Sequence, residues 1–386
     1  MAESKLTKTG YELEDVNIVQ APISYIEHRS ECDPTIVMCG RKVYPVIVAP
    51  MGAVTNEHNY KTWLDHGFIC VVPRTVGYVK RIEISKETFA SFSLNEADNI
   101  DDDIDDGNVH YLCIDIAQGT MAKLYEVCNH LKKRFPHKVV IITGNVATPL
   151  AYGYYADNNI DYMRACIGTG SRCITTSNVG VHYPTATLID DLRMQKDDYE
   201  AWNTNKPVNT EIIVDGGIHN FDDIQKCLAL GAFAVMSGSI FAKATEACEP
   251  IVFLQPDNLN MADAIPAEEY YDKLKELKMR SDLIDADERH NPYWQAYRKL
   301  SLRKPYRLYY GMSTKKAQKL TGGSGKRTSE GISKPIPVEY PISKWAEDMC
   351  DYMRSCMSYT GCATIKELRE NTKLIVNLSG KNSYWK

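Results

Sequence analysis

The stretch KVVIITG, residues 138–144, joins four β-branched apolar residues with no polar residue between them. A strand with one face in water alternates apolar and polar residues, so an unbroken run indicates a strand buried on both faces, as in a parallel sheet. Seven similar runs occur elsewhere: PVIVAP (45–50), FICVVP (68–73), FASFSL (89–94), HYLCIDI (110–116), IDYMRACIG (160–168), EIIVDGG (211–217) and FAVMSG (233–238). The sequence therefore predicts eight buried strands, of which 89–94 has the weakest pattern.

Helix-forming segments separate many of these strands. They are NEHNYKTWLDHG (56–67), MAKLYEVCNHLKKRF (121–135), TPLAYGYYADN (148–158), PTATLIDDLRMQKDDYEAW (184–202) and NFDDIQKCLALG (220–231). A chain that alternates eight strands with helices is typical of a closed (β/α)₈ barrel, the TIM-barrel fold. We therefore expect an α/β protein built on one barrel.

The chain is expected to form a single domain over residues 1–386. Its predicted parts are a barrel core (11–250), a charged, tyrosine-rich insertion (254–309), a glycine-rich flap (311–335) and a helical closure (336–386). Within the closure, SKWAEDMCDYMRSCMSY has the pattern of an amphipathic helix. The acidic run NEADNIDDDIDDGN is interpreted as a solvated loop or helix face.

Composition and charge exclude several classes of function. The 386 residues carry a net charge of −5, which gives no electrostatic reason to expect nucleic acid as a partner. No stretch is apolar over the length that crosses a bilayer, and MAESKLTKTG lacks a signal-peptide core, so we expect a cytoplasmic protein without membrane contact. The twelve cysteines include no C-x-x-C pair and lie mostly in apolar runs, which favours reduced core residues over disulfides or a zinc site.

Glycine and small polar residues follow the last four predicted strands, in TGN, GTGSRCITTS, DGGIHN and SGS. In a barrel of this type the active site is built from loops at the C-terminal ends of the strands, and the loops after strands seven and eight commonly bind phosphate. Gly216, Gly217, Gly238 and Ser239 fit that use, and Asp215 would accept hydrogen bonds from sugar hydroxyls. The alternative is that the glycines only make tight turns, but several such loops on one rim favour a phosphorylated ligand.

Cys173 differs from the other cysteines because its neighbours are glycine, serine and threonine. A thiolate in a loop, near backbone N–H groups and Arg172, can have a lowered pKa and act as a nucleophile. Sequence position alone leaves the alternative of a small space-filling residue equally open. Thr175 is a candidate proton relay and Glu330 a candidate general acid or base, although local hydrogen bonding and simple solvation are the commoner roles of such residues.

Four motifs, in this order, carry a resemblance to a known family. They are G-x-G-S-x-C-x-T (168–175), D-G-G-I (215–218), the G-S of VMSGS (238–239) and Y-x-G-M-S (309–313). Together they resemble the IMP dehydrogenase/GMP reductase family. The match runs from YELEDVNIVQAP to the C-terminal helix, apart from 254–309.

Within this family the sequence is more similar to the GMP reductases. IMP dehydrogenases usually carry two regulatory CBS modules after the second barrel helix, for which 74–110 leaves no room. They also carry an Arg-Tyr pair in the flap, and no Arg-Tyr occurs between Met312 and Glu330. GMP reductases instead have R-x-S-E-G at the end of the flap and T-x-x-x-x-G-V-x-Y-P after the cysteine, which 327–331 and 175–184 match.

The resemblance implies NADPH-dependent reductive deamination of GMP to IMP and ammonia, in a homotetramer. Cys173 would attack the purine C2, while Thr175 and Glu330 would move the protons that let ammonia leave. Positions that match nucleotide-binding residues are Asp215, Gly216, Gly217, Gly238, Ser239, Gly311, Met312, Ser313, Arg327, Thr328, Ser329 and Gly331. Positions that match the cofactor site are Asp115, Ala117, Gly168 and Thr169, and potassium would bind the carbonyls of Gly168, Gly170 and Cys173.

Some positions depart from the family pattern. Gly52 stands where the family usually has the aspartate of M-D-T-V, and Thr176 replaces an arginine or glutamine. Gln118 replaces an asparagine. Arg74-Thr75 replaces the His-Lys pair that reductases have near the cofactor, so NADH is the alternative to NADPH.

The other interpretations are an IMP dehydrogenase without CBS modules, which would make XMP from IMP with NAD, and a purine-nucleotide-binding barrel that has lost catalysis. A flavin-binding barrel would explain the phosphate loops but would leave Cys173 without a role.

Overall fold

The computed structural model of the chain describes residues 9–105, 110–170, 173–203, 209–284, 288, 290–321 and 331–377. The strands are β1 Val16–Ile18, β2 Ile36–Met38, β3 Arg41–Val43, β4 Val46–Val48, β5 Val71–Val72, β6 Phe89–Phe92, β7 His110–Asp115, β8 Val139–Val146, β9 Tyr162–Ala165, β10 Glu211–Asp215, β11 Ala234–Ser237, β12 Val252–Leu254, β13 Ile265–Pro266, β14 Lys304–Tyr310, β15 Ser333–Pro337 and β16 Leu374–Val376. The α-helices are α1 Tyr60–Asp65, α2 Tyr78–Ile84, α3 Leu94–Ala97, α4 Asp101–Ile104, α5 Ala122–Arg134, α6 Ala151–Asp157, α7 Thr175–Val179, α8 Thr185–Trp202, α9 Phe221–Ala229, α10 Ser239–Lys243, α11 Ala267–Asp282, α12 Pro292–Ser301, α13 Lys315–Leu320, α14 Ile342–Thr360 and α15 Ile365–Asn371.

Eight parallel strands form the central sheet, in the spatial order β4, β11, β10, β9, β8, β7, β6, β5. A parallel bridge between Val48 and Cys70 joins the two ends of this order, so the sheet closes on itself. All eight predicted strands take part, including the weakly predicted 89–94, and helices lie in each of the five predicted segments. The TIM-barrel prediction is confirmed.

The barrel strands are buried on both faces, which is why their sequences do not alternate. Every residue of β4, β6 and β11 is buried. The partly exposed residues include Asp115 and Asp215, each the last residue of its strand. These two carboxylates therefore lie at the C-terminal mouth of the barrel.

A second, antiparallel sheet follows the eighth barrel strand, in the order β13, β12, β14, β15. The predicted insertion 254–309 thus contains β13, most of β14 and the helical hairpin α11–α12. Strand β14 runs directly into the Gly311 segment, and β15 begins two residues after Gly331. The sheet therefore carries both ends of the predicted flap, of which 322–330 lies outside the described residues.

The predicted C-terminal helix is present as α14. It buries Ile342, Trp345, Met349 and Met353 against the barrel helices. The ring of Trp345 stacks on Phe221 of α9 at 5.4 Å. The acidic run NEADNIDDDIDDGN contributes to two short helices, α3 and α4. Its last residues, from 106 onward, lie outside the described part of the chain.

The N-terminal segment is tied to the loop that carries Cys173 by His182. Its Nε2 lies 2.6 Å from Oε1 of Glu12, and its Nδ1 lies 3.2 Å from the carbonyl of Ile167. The other oxygen of Glu12 accepts the N–H of Thr185 at 2.9 Å. Because a carboxylate and a carbonyl only accept, both contacts are satisfied together only when both ring nitrogens carry a proton.

The pH dependence of stability tests this tie. Partial burial alone would lower the pKa of His182, but its bonds to Glu12 and Ile167 outweigh burial and raise it above the ordinary value. The imidazolium therefore stabilises the fold below the pKa of the unfolded chain, and this contribution disappears as pH rises through the folded pKa. We expect His182→Gln to lower the melting temperature at about pH 6 and to have a much smaller effect at about pH 9. For Glu12→Gln as well, the difference in melting temperature from the unaltered protein should shrink between about pH 6 and about pH 9. A difference in melting temperature that stays constant over this pH range would contradict the role of the charged imidazole.

An aromatic stack attaches the helical hairpin α11–α12 to the second sheet. The ring of Tyr270, which is 5% exposed, lies parallel to Phe253 of β12 with 3.7 Å between centroids. The next residue, Tyr271, meets Phe253 edge-on but is 60% exposed. Two adjacent tyrosines on one helix thus differ mainly in burial.

We expect Tyr270→Ala to loosen the hairpin without unfolding the barrel. A buried aromatic side chain contributes about 3 kcal/mol, so amide hydrogen exchange over 267–301 should accelerate on the order of 100-fold. Exchange in β7 and β8 should keep its original rate. Tyr271→Ala is the matched control and should change hairpin exchange by less than about fivefold. The same acceleration in both variants, or one spread over the barrel strands, would argue against this attachment.

Candidate active site

Cys173 lies beyond the C-terminal end of β9, in a loop at the mouth of the barrel. Its sulfur is 3.1 Å from Oγ1 of Thr175, and its backbone N–H donates to the carbonyl of Gly170 at 2.8 Å. An antiparallel bridge joins Cys173 to Gly331, so the chain leaving the flap returns beside the sulfur. The fold thus brings together two predicted catalytic residues and one predicted nucleotide-binding residue.

All twelve cysteines are unpaired, as the sequence predicted, and most are buried. Burial raises the pKa of Cys70 and Cys113 to about 12, so these thiols stay protonated at neutral pH. Cys173 is partly exposed, together with Cys39, Cys248 and Cys356. Burial raises the pKa of Cys248 to about 11 and that of Cys39 and Cys356 to about 12.

A buried arginine joins the two acidic residues at the barrel mouth. Arg164 of β9 is 6% exposed. Its Nη1 donates to Oδ1 of Asp115 at 2.9 Å, and its Nη2 and Nε donate to Oδ2 of Asp215 at 2.6 and 3.1 Å. Burial alone would lower the pKa of Arg164, but Asp215 foremost, with Asp115, holds it well above its ordinary value. The bridge fixes a predicted cofactor residue and a predicted sugar-binding residue relative to each other.

Within the described residues, the side-chain hydrogen bonds to Asp215 are made to one of its two oxygens, Oδ2. Asn145 also donates to Oδ2 of Asp215, at 2.8 Å, and to the carbonyl of Cys166 at 3.0 Å. In the described part of the chain, Arg164 and Asn145 thus both donate to Oδ2 of Asp215, and no side chain donates to its Oδ1.

Asp115 has a second basic neighbour besides Arg164. Nε of Arg74 lies 3.8 Å from Oδ2 of Asp115.

The loops after β9 and β10 are in direct contact. Oγ1 of Thr169 donates to the carbonyl of Asp215 at 3.0 Å. Gly216 has φ +86°, and an added Cβ there would lie 2.9 Å from Oγ1 of Thr169 and 3.0 Å from the amide nitrogen of Gly170. Glycine is needed at 216 both for its backbone conformation and for this close approach. At position 216, glycine is therefore needed for the turn itself, whether or not it also binds a ligand.

Gly238, after β11, is required for a different reason. An added Cβ would lie 2.2 Å from the sulfur of Met51 and 2.5 Å from the hydroxyl of Tyr309. Strand β14 therefore passes directly beside this turn. The segment that follows β14 contains Gly311, Met312 and Ser313, of which only Ser313 is exposed.

The remaining predicted residues divide into two groups. Ala117 is exposed in the loop after β7, Gly217 follows Gly216, and Ser239 begins α10. Arg327, Thr328, Ser329 and Glu330 lie outside the described residues.

Gly52, where the family usually has aspartate, is closely surrounded. A Cβ added to Gly52 would lie 3.0 Å from Oγ1 of Thr75 and 3.1 Å from the hydroxyl of Tyr310. A side chain at 52 would therefore require these two side chains to move slightly. Position 75, which also departs from the family pattern, is thus a direct neighbour of position 52.

Arg164 and Asn145 were not among the predicted site residues. A signal was present for Arg164, because it is a charged residue in the middle of the apolar run 160–168, which has a second charge, Asp161, only near its start. Asn145 belongs to the TGN loop that was expected on the active-site rim, but nothing in the sequence indicated its contact with Asp215. In the described parts of the chain, no three His, Cys, Asp or Glu side chains are placed to hold a metal ion together, and every helix is too short or too polar to cross a membrane.

Comparison with known proteins gives the same family that the motifs resemble. The model of the IMP dehydrogenase / GMP reductase domain matches residues 91–264 and 298–381, which is more than half of the chain. The unmatched gap contains α11 and the start of α12.

Relatives carry both names of the family. An inosine-5′-monophosphate dehydrogenase from Chlorobaculum parvum is 28% identical over 270 residues, covering 70% of this chain and 46% of the relative. A GMP reductase from Onchocerca volvulus is 25% identical over 269 residues, covering 69% of this chain and 58% of the relative. A GMP reductase from Delftia acidovorans is 34% identical over 228 residues, covering 56% of this chain and 66% of the relative. The chain thus spans about half the length of the first two relatives. With a barrel of this topology and a family domain matched over most of its length, the chain belongs to the IMP dehydrogenase/GMP reductase family.

Proposed function

We propose that this protein is a GMP reductase, which converts GMP to IMP and ammonia with NADPH through a covalent bond between Cys173 and the purine. The observation that carries the proposal is the contact between Sγ of Cys173 and Oγ1 of Thr175, 3.1 Å apart, beside Gly331. The flap sequence supports the reductase branch, because R-x-S-E-G is present and Arg-Tyr is absent.

The first half of the reaction forms the covalent intermediate. The Cys173 sulfur donates an electron pair to C2 of GMP, and the bond from C2 to the exocyclic nitrogen breaks. That nitrogen leaves as ammonia after taking up protons, which Thr175 and Glu330 transfer. A thiolate suits this carbon, which is electron-poor because it lies between two ring nitrogens.

The second half releases IMP. NADPH, when bound, supplies a hydride to C2. The carbon–sulfur bond then breaks, the electron pair returns to Cys173, and the enzyme regains its thiolate. Asp115, Ala117, Gly168 and Thr169 would line the cofactor site, with Arg164 holding Asp115 in place. NADH is the alternative donor.

Nucleotide recognition uses the loops after β10, β11 and β14. Asp215 keeps Oδ1 for the ribose hydroxyls, because Arg164 and Asn145 both bind Oδ2. Backbone N–H groups around the phosphate would come from Gly216, Gly217, Gly238, Ser239, Gly311, Met312 and Ser313, with the flap residues Arg327, Thr328, Ser329 and Gly331 closing over the ligand. In this proposal the protein is a cytoplasmic homotetramer.

The residues present also fit a potassium ion. The hydroxyl of Thr176 is buried and has no hydrogen-bond partner among the described residues. It lies where a side chain on Gly168 would be, 1.8 Å from an added Cβ. Carbonyl and hydroxyl oxygens can replace the hydration shell of K⁺. The carbonyls of Gly168, Gly170 and Cys173, with this hydroxyl, would hold the ion and fix the loop that carries the sulfur.

An assay with GMP and IMP, each with the reduced or oxidised nicotinamide cofactors, tests the function. We expect loss of NADPH absorbance with GMP, and Cys173→Ala should reduce turnover at least about 1,000-fold. Mass spectrometry should detect a nucleotide adduct on Cys173 during turnover. Cys356→Ala, which removes another partly exposed thiol, is the matched control and should keep full activity.

The alternatives give different results in the same assay. NADH formed from IMP and NAD would assign the protein to the IMP dehydrogenases. GMP binding without turnover under any cofactor would identify a binding protein. Full activity in Cys173→Ala would exclude the covalent mechanism.

Thermal unfolding in KCl and NaCl of equal ionic strength tests the potassium site. An ion present at about ten times its dissociation constant adds about 1.4 kcal/mol, so the melting temperature in KCl should be about 2 °C higher. Thr176→Val should abolish that difference without destabilising the protein in NaCl, because it removes an unpaired buried hydroxyl. Thr176→Ser should retain most of it. Equal melting temperatures in the two salts for the unaltered protein would count against the ion.

A further inference from the structure

A second buried arginine, Arg307 of β14, is 1% exposed. Glu246, Glu249 and Cys248 lie near enough to raise its pKa, yet burial is the largest influence and lowers it. Within the described residues no carboxylate forms an ion pair with its guanidinium. A buried charge is costly unless hydrogen bonds compensate it, so the partners of Arg307 indicate why it is there.

The partners are backbone carbonyls at the C-terminal end of α10. Nη1 donates to the carbonyl of Ala242 at 3.2 Å and also to that of Ala244, and Nη2 donates to the carbonyl of Thr245 at 3.3 Å. The last carbonyls of a helix have no partner within the helix and carry partial negative charge. A guanidinium satisfies several of them at once, since its donors form a rigid planar fork.

The residues that follow β15 contact the same helix. The N–H of Glu339 donates to the carbonyl of Lys243 at 2.9 Å, and the hydroxyl of Tyr340 donates to that of Ile240 at 3.0 Å. The β14–β15 hairpin and its continuation therefore hold the C-terminal half of α10 from several sides.

The opposite end of α10 contacts the same strand. Tyr309, two residues after Arg307 and on the same face of β14, lies against Gly238, immediately before α10. Strand β14 thus runs alongside α10 and contacts it at both ends. It then continues into the Gly311 segment, which the proposed function also places at the nucleotide.

We propose that Arg307 is a positioning residue for the phosphate of the nucleotide: by holding the C-terminal carbonyls of α10, it fixes the backbone at Gly238 and Ser239 in the register that phosphate oxygens require. The inference rests on the proposed function, in which those residues bind the phosphate. Hydrogen bonds to a charged oxygen weaken steeply with distance and angle, so a small shift of α10 lowers affinity for the phosphate without changing the contacts of the base.

The test compares GMP with guanosine, which lacks only the phosphate, by calorimetric titration. The unaltered protein should bind GMP more tightly. Arg307→Met keeps an unbranched apolar stem but removes the guanidinium and its donors. It should reduce the guanosine-to-GMP ratio of dissociation constants about tenfold, through weaker GMP binding. Arg307→Lys retains a cation with fewer donors and should fall between the two. In turnover, the KM for GMP should rise while kcat and the KM for NADPH stay close to their original values.

Arg81 provides the matched control. Its guanidinium is 4% exposed and, like that of Arg307, donates to backbone carbonyls, here those of Val76 and Ser91, far along the chain from α10. Unlike Arg307, it also forms an ion pair with Glu96, at 2.6 Å. Arg81→Met should destabilise the protein to a similar or greater extent and leave the ratio unchanged.

An unchanged ratio in Arg307→Met would overturn the inference, as would an equal reduction in Arg81→Met. If Arg307→Met does not fold, Arg307→Lys decides, since an unchanged ratio there has the same meaning. A protein that binds GMP and guanosine equally before any substitution would overturn the proposed phosphate site itself, and the role of Arg307 with it.

Discussion

The charge of Arg164 inside the barrel is the constraint on which the site depends. Desolvating a guanidinium costs several kcal/mol unless carboxylates and hydrogen bonds compensate it, and here the compensation comes from Asp115 and Asp215 on two different strands. The hydrogen bonds that compensate the desolvation of Arg164 therefore also determine where these two carboxylates lie. In the proposed function, the cofactor and the ribose are positioned by a single ion network.

A second constraint is the close packing of loops around this network. A Cβ added to Gly216 would lie 3.0 Å from the amide nitrogen of Gly170, and one added to Gly238 would lie within 2.5 Å of Met51 and Tyr309, so a side chain at either position would force its neighbours to move. The loop of the proposed nucleophile is thus supported by the loop that follows Asp215. Strand β14 contacts the turn at Gly238 and also leads into the Gly311 segment. In the proposed function, these two parts of the nucleotide site are therefore supported by the same strand.

Much of the barrel could be predicted from the sequence because burial on both faces leaves long apolar runs, as in 138–144. Strands β12 and β13 could not, since they have only three and two residues and are too short to show a periodic pattern. The family motifs located Cys173 and Asp215, but their partners depend on which strands become neighbours. Arg164 is 49 residues from Asp115 and 51 from Asp215 along the chain, so no local pattern joins them.

The departures from the family pattern are not scattered at random over the barrel. Gly52 follows β4, Arg74 and Thr75 follow β5, and Gln118 follows β7. The motifs that match follow β9, β10, β11 and β14, and among these loops only the one after β9 holds a departure, Thr176. Strands β4 and β5 are adjacent through the closing bridge. Apart from Thr176, the altered positions therefore lie on the arc of the barrel from β4 to β7. In the proposed function this arc holds Asp115 and Ala117 of the cofactor site, whereas Gly168 and Thr169 belong to the loop after β9. A chain that had lost catalysis would be free to change Cys173 and Thr175 as readily as position 52, so the presence of both residues supports the covalent chemistry of the proposed function.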